Sequence, residues 1–274
     1  MAEPNVTEPD PPAPSLAAPN RPALFSGVGV ALVTLFGEDG EIDPGSTGKL
    51  AASLAGRGMA AVLVNGTTGE AGTLTGPERT ALIEAVRAAV PAAVPVIAGT
   101  GAPSLRQAAA LTRAAVTAGA DAALTWCPPR CADLAGYFAA IGGAAAGRPV
   151  FAYHNPFISC AGIPVDTLAT LPVAGLKDSS GSPDRLLDEL ARYPGGTYVG
   201  SSGLLALAGP MGTAGALLAL ANLAPEACVR AWGGDAAAQR DLAAQHLAVR
   251  AGGPARLKLL LAGTEGTSPV SRIC

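Results

Sequence analysis

The stretch V-A-G-L-K-D-S-S-G occupies residues 173–181. Its small and aliphatic residues suit a strand buried on both faces, and the polar residues from Asp178 onward end that strand. Lys177 therefore stands at a strand end, where an ammonium group must reach water or lose its proton readily. Such a lysine suits Schiff-base chemistry on a carbonyl substrate, and a side chain that snorkels to water is the alternative interpretation.

The same pattern of apolar strand, loop and amphipathic helix runs through most of the chain. It predicts eight strands, at residues 28–35, 61–64, 94–98, 122–125, 150–153, 173–177, 197–200 and 214–218. It also predicts eight helices, which begin near residues 44, 77, 104, 134, 165, 183, 203 and 224. Eight alternating pairs favour an α/β fold of the (β/α)₈ TIM-barrel type. An open sheet would usually carry a Gly-rich dinucleotide turn after its first strand, and residues 35–40 (L-F-G-E-D-G) lack one.

Composition divides the chain into three parts. Residues 1–24 are Pro- and Ala-rich and predict a disordered extension, residues 25–233 the barrel, and residues 234–274 a short C-terminal helical region. Within that region, helices are expected at 235–250 and 256–262. A net charge of −3 does not indicate the excess of basic residues that binding to nucleic acid or to an anionic membrane requires.

Several features predict a cytoplasmic protein without a metal. Apolar runs are too short to span a membrane, and the acidic first residues do not resemble a signal peptide. Five scattered cysteines are consistent with reduced thiols. The two histidines do not cluster with carboxylates in the sequence, so no metal site is predicted.

Polar residues follow the predicted strands at the end where TIM barrels place their active sites. Gly66-Thr67-Thr68-Gly69 follows the second strand and offers N–H groups and hydroxyls to a small carboxylate or phosphate, unless it is simply a turn with a helix cap. Tyr153 ends the fifth strand, where its hydroxyl points to the barrel mouth or hydrogen-bonds within the core. His154 alternates to the other face, which argues against a catalytic role.

These motifs resemble, in order and spacing, those of the dihydrodipicolinate synthase / N-acetylneuraminate lyase family. The resemblance extends over residues 27–222 and rests on G-T-T-G-E at 66–70, P-V-I-A-G-T-G at 95–101, Y-H-N-P at 153–156 and G-L-K-D-S-S-G at 175–181. It implies a TIM barrel that assembles as a homotetramer or homodimer. It also implies a reaction through a lysine Schiff base, without a cofactor.

The resemblance assigns roles by position. Lys177 would condense with pyruvate or another 2-oxo acid, and Tyr153 would shuttle protons at the imine and at the reacting carbon–carbon bond. Thr67 and Thr68 would hold the keto-acid carboxylate, with Thr67 linked to Tyr153. Gly66 and Leu217 are also predicted to bind substrate.

Two departures from the family pattern concern the second substrate, an aldehyde or a sugar acid. Ile158 stands where dihydrodipicolinate synthases carry a carboxylate-binding arginine, and Arg130 stands where they carry a tyrosine, in a turn that begins at Trp126. Losing a guanidinium that pairs with a buried carboxylate costs on the order of 2–5 kcal/mol. The sequence therefore favours a class I aldolase or dehydratase. Two alternatives stay open: the synthase itself, with Arg130 supplying the cation, and a non-catalytic paralogue that binds a small acid.

Overall fold

The computed structural model describes residues 23–158 and 162–273. Eight parallel strands pair in sequence order and close into a barrel, as predicted. They are β1 (Gly27–Ala31), β2 (Val62–Val64), β3 (Val96–Gly99), β4 (Ala122–Thr125), β5 (Val150–His154), β6 (Gly175–Asp178), β7 (Gly196–Val199) and β8 (Gly215–Leu218). The predicted extension at 1–24 lies outside the described residues, apart from its last two.

Helices connect the strands and cover the barrel. They are α1 (Pro44–Gly56), α2 (Gly76–Ala89), α3 (Leu105–Thr117), α4 (Leu134–Ala144), α5 (Val165–Leu168), α6 (Pro183–Arg192), α7 (Leu205–Ala208), α8 (Pro225–Trp232), α9 (Ala236–Asp241) and α10 (Ala243–Glu265). Side-chain caps fix several starts: Asp43 accepts from the Ser46 N–H, and Thr75 forms a capping box with Glu78. No helix within the described residues is long and apolar enough to span a membrane.

Several elements differ from the prediction. β1 ends at Ala31 instead of residue 35, because side chains take over the following N–H groups: Val33 donates to Asn222 Oδ1 and Leu35 to Thr47 Oγ1. α5 and α7 are single turns. The region after residue 234 holds α9 and a long α10, kinked at Gly253 (φ 59°, ψ −154°), instead of helices at 235–250 and 256–262.

The barrel interior is a packed core with its polar residues at one end. Tyr198 packs against Phe25 and Phe151, and its hydroxyl donates to the Phe25 carbonyl and accepts from the Leu24 N–H, ahead of β1. The N-terminal end of the barrel is thereby filled. The opposite end, where β2, β5 and β6 finish, carries Thr67, Tyr153 and Lys177.

Candidate active site

The pairing of β5 with β6 brings Tyr153 and Lys177 together. The two residues are partners in the ladder, and the Lys177 Nζ lies 4.6 Å from the centroid of the Tyr153 ring. Both side chains are buried, with 5% and 7% of their surfaces exposed for the lysine and the tyrosine. Parallel register thus places an amine beside a phenol.

The Tyr153 phenol has several hydrogen-bonding neighbours. Asn155 Nδ2 donates to its oxygen at 2.8 Å, and the side chains of Ser179 and Thr67 also hydrogen-bond with it. Burial acts to raise the pKa of Tyr153, but the Lys177 charge and these hydrogen bonds together lower it. The phenol is therefore suited to give up and take back a proton.

The turn after β2 is fixed by its own backbone. Asn65 and Glu70 both adopt the left-handed conformation, with φ of 56°, at its two ends. The Gly69 N–H donates to the Gly66 carbonyl at 3.1 Å, and Thr34 Oγ1 donates to the Gly69 carbonyl at 2.7 Å. Thr67 is therefore presented at the barrel mouth by a constrained loop.

One cavity of about 660 Å³ joins these groups and is called the lysine cavity here. Lys177, Tyr153, Thr67 and Gly66 line it, and so do Ile158 and Trp126 on the side expected for the second substrate. The Trp126 indole packs directly on Gly101, where a Cβ atom would come within 2.2 Å of the ring. A glycine at 101 is thus required for this wall.

A second cavity of about 230 Å³ adjoins the first at Thr67 and is called the serine cavity here. Hydroxyl groups line part of it, those of Thr67, Thr68, Ser179, Ser180, Ser201 and Ser202, and apolar side chains such as Phe157, Leu220 and Leu257 line the rest. His246 and Arg250 of α10 complete it, and Ser202 Oγ shares a hydrogen bond of 2.8 Å with His246 Nδ1. A mainly apolar space that carries hydroxyl groups and one guanidinium thus lies beside the lysine cavity.

Two predicted binding residues lie elsewhere. Leu217 belongs to the apolar cluster inside the barrel that contains Tyr153, but it lines neither cavity. Arg130, which was predicted to line the second-substrate side, is exposed and lines neither cavity, so its role in binding stays a prediction. Its left-handed backbone (φ 64°) lies in a turn where the Cys131 N–H donates to the Pro128 carbonyl.

A separate group of buried polar residues lies where α6 faces the ends of β5 and β6. His154 accepts from the Ile163 N–H through Nδ1 at 3.0 Å and lines neither cavity, in line with the alternation predicted for it. Burial and the neighbouring Asp178 charge raise the pKa of Glu189 to about 8, although Arg185 Nε lies 2.8 Å from its carboxylate. Within the described residues, no group of three or more His, Cys, Asp or Glu side chains could hold a metal ion.

Sequence reasoning missed several residues around the site. Asn155 and Ser179 lie inside the quoted motifs, close in sequence to Tyr153 and Lys177, and that position is the signal that could have identified them. Arg79 and Ile273 also line the lysine cavity. No local pattern marks Ile273, because it reaches the cavity through a contact between distant parts of the chain.

Comparison with known proteins supports the same fold. The model of the dihydrodipicolinate synthetase family matches residues 24–249. The 4-hydroxy-tetrahydrodipicolinate synthase of Dechloromonas aromatica is 36% identical over 240 residues, covering 82% of both chains. That of Salinibacter ruber is 36% identical over 213 residues, covering 74% of this chain and 70% of the relative. Among solved structures, the pyruvate complex of the chloride-inhibited dihydrodipicolinate synthase from Acinetobacter baumannii has a TM-score of 0.81 at 28% identity, covering 91% of this chain and 94% of that one.

The fold and these matches define a (β/α)₈-barrel enzyme of the lyase class. The chain belongs to the dihydrodipicolinate synthetase family.

Proposed function

We propose that Lys177 forms a Schiff base with pyruvate or another 2-oxo acid, and that the enzyme makes or breaks an aldol carbon–carbon bond through it. The observation that carries the proposal is the Lys177 Nζ held 4.6 Å from the Tyr153 ring at the wall of a cavity that Thr67 also lines. The pyruvate complex of the Acinetobacter baumannii relative supports a 2-oxo acid as the first substrate.

The proposed steps balance without a cofactor. The neutral Lys177 amine adds to the keto carbon, and the Tyr153 phenol gives the proton with which the oxygen leaves as water, so an iminium ion and a phenolate remain. The phenolate takes a proton from the adjacent carbon, and the iminium accepts the electrons left behind, which forms an enamine. The enamine attacks an aldehyde, whose oxygen takes the proton back from Tyr153. Water then hydrolyses the new iminium, which releases the product, restores the amine and returns a proton to Tyr153.

The turn from Gly66 to Thr68 is proposed to bind the 2-oxo acid carboxylate through N–H groups and hydroxyls. Fixed donors beside the lysine hold the keto carbon where the amine can add to it. The turn's own hydrogen bonds, including the one from Thr34 to Gly69, keep these donors in place. Thr67 also hydrogen-bonds with Tyr153, so the carboxylate site and the proton donor are connected.

The second substrate is proposed to be a hydroxylated aldehyde or a sugar acid. The serine cavity offers hydroxyls to polar substrate groups, with the Arg250 guanidinium beside them. Ile158 places an apolar side chain in the lysine cavity, where the synthase would need a cation. An aldolase or a sugar-acid dehydratase therefore fits these walls better than the synthase does.

Trapping with borohydride tests the imine. With pyruvate present, borohydride should add one reduced pyruvyl group to the protein, as measured by intact mass. Lys177→Arg keeps the charge but cannot form the imine, and should show no addition. The exposed Lys49 provides the matched control, since Lys49→Arg should be trapped like the wild type. An unmodified wild-type protein at saturating pyruvate would overturn the proposal.

The synthase itself is the second candidate, because the curated relatives carry that name. It requires turnover of pyruvate with aspartate semialdehyde. We expect kcat/KM for pyruvate with glyceraldehyde to exceed kcat/KM with aspartate semialdehyde. The opposite order would favour the synthase. A homotetramer or homodimer and a cytoplasmic location remain predictions from the sequence.

A further inference from the structure

The segment that follows α10 lies against the turn after β2. Residues 270–273 are called the strap here. The backbone N–H groups of Arg272 and Ile273 donate to Glu70 Oε2 at 2.8 and 3.1 Å, and Ser271 Oγ donates to the same oxygen at 3.0 Å. One carboxylate oxygen thus accepts hydrogen bonds from three groups of the strap.

The other oxygen of Glu70 is paired with a buried cation. Lys258 Nζ lies 2.5 Å from Glu70 Oε1, and both side chains are fully buried. The same ammonium donates to the Val270 carbonyl at 2.8 Å and lies 4.0 Å from the centroid of the Phe36 ring. A buried ion pair with its hydrogen bonds made is costly to break, so this pair anchors the strap firmly.

The Arg272 side chain adds a second anchor. Its Nε donates to the Gly40 carbonyl at 2.8 Å, and its Nη2 donates to Glu78 Oε1 at 2.6 Å. Its Nη1 donates to the Thr73 carbonyl at 3.2 Å. These contacts tie the strap to the loop after β1 and to the start of α2.

The result is that Ile273 forms part of the wall of the lysine cavity. It lines that cavity together with Lys177 and Thr67, and 41% of its surface is exposed. Glu70, which holds the Ile273 backbone, ends the turn that presents Thr67. An aliphatic side chain in this place restricts the volume open to a substrate on Lys177.

We propose that Ile273 is a specificity-determining residue that limits the size of the 2-oxo acid bound at Lys177. Arg272 is a positioning residue that acts through Ile273. The inference rests on the proposed function, because it gives the lysine cavity a 2-oxo acid as occupant. It concerns the length of that acid and is independent of the aldehyde.

The test is borohydride trapping over a concentration series of pyruvate, 2-oxobutanoate and 2-oxopentanoate. The apparent affinity of each acid is read from the trapped fraction. Ile273→Ala should improve the affinity for 2-oxopentanoate relative to pyruvate by about tenfold, and Ile273→Trp should reduce the same ratio. Leu259→Ala is the matched control, because Leu259 is a half-exposed aliphatic residue of α10 that lines neither cavity. This variant should keep the wild-type ratio of the two affinities.

Arg272→Ala should shift the ratio in the same direction as Ile273→Ala but less, and Arg272→Lys should partly restore it. A purely structural role of the strap would lower stability without changing the ratio. If pyruvate is trapped normally and both Ile273 variants keep the wild-type ratio, this inference is overturned and the proposed function stands. If the wild type is not trapped by any of the three acids, both are overturned.

Discussion

The lysine–tyrosine pair and the strap lie at the same end of the barrel but are held there by different contacts. Lys177 and Tyr153 are backbone partners in adjacent strands, so strand register alone sets their proximity. Ile273 lies 203 residues from Glu70 in sequence and is held in place by that buried carboxylate and by the side-chain contacts of Arg272. The strands of the barrel thus position the proposed catalytic pair. The strap forms one wall of the lysine cavity, and that wall can be changed without changing Lys177 or Tyr153.

The largest expected effect is that of replacing Lys177, the lysine at the end of β6. Lys177→Arg should reduce kcat by about 10⁴-fold or more, because the guanidinium cannot form the imine. The measurement is steady-state turnover of pyruvate with the best aldehyde. Lys49→Arg should retain wild-type turnover, and substantial activity in Lys177→Arg would contradict the mechanism.

Removing the phenol should have the next largest effect. Tyr153→Phe keeps the ring but removes the proton donor, and should lower kcat by about 10²- to 10⁴-fold. Tyr198→Phe is the control inside the same barrel, since its hydroxyl contacts the chain ahead of β1. It should cost about 1 kcal/mol of stability and leave kcat unchanged. Equal kinetic losses in the two variants would show that Tyr153 has no special role.

The strap is tested by breaking its ion pair. Lys258→Met leaves Glu70 buried without its cation and should lower the free energy of unfolding by about 3–5 kcal/mol, measured by denaturant titration. The exposed pair of Arg192 with Asp188 supplies the comparison, and Arg192→Ala should cost far less. Folded Lys258→Met should still be trapped by pyruvate, because the lysine–tyrosine pair does not depend on the strap. A free energy of unfolding near that of the wild type would contradict the proposal that the Glu70–Lys258 pair anchors the strap.

The last prediction concerns pH and Glu189 of α6, which lies beside Asp178 of β6. The pKa of Glu189 is raised from 4.5 to about 8 in the folded state, so the folded protein binds this proton more tightly than the unfolded chain. The corresponding stability is present below pH 4.5 and is lost as pH rises through about 8. Glu189→Gln removes the titrating group, so its stability relative to the wild type should increase with pH over this range. A difference that stays constant from pH 5 to 8 would show that Glu189 is ionised throughout.

The sequence was sufficient for the barrel and for the centre of the site. Apolar runs of strand length locate all eight strands, and the motif after each strand places Thr67, Tyr153 and Lys177 at one end. Strand β1 was predicted too long because residues 32–35 are mostly apolar, whereas the Val33 and Leu35 N–H groups bond to side chains that periodicity does not reveal.

Two features could not be predicted, for different physical reasons. Arg130 was expected near the second substrate from its position in the motif, whereas the structure has it exposed, in a left-handed turn that lines neither cavity. The strap has no sequence signal, because a buried Glu70–Lys258 pair looks like two ordinary charged residues until the fold brings them together. Contacts between distant segments thus set the part of the cavity that local patterns cannot show.

The most direct test of the central claim is a crystal structure of the protein soaked with pyruvate. The account predicts continuous electron density from the Lys177 Nζ to the keto carbon, with the carboxylate against the turn of Thr67 and Thr68. Pyruvate bound without a covalent link, or held away from Lys177 and Tyr153, would contradict it.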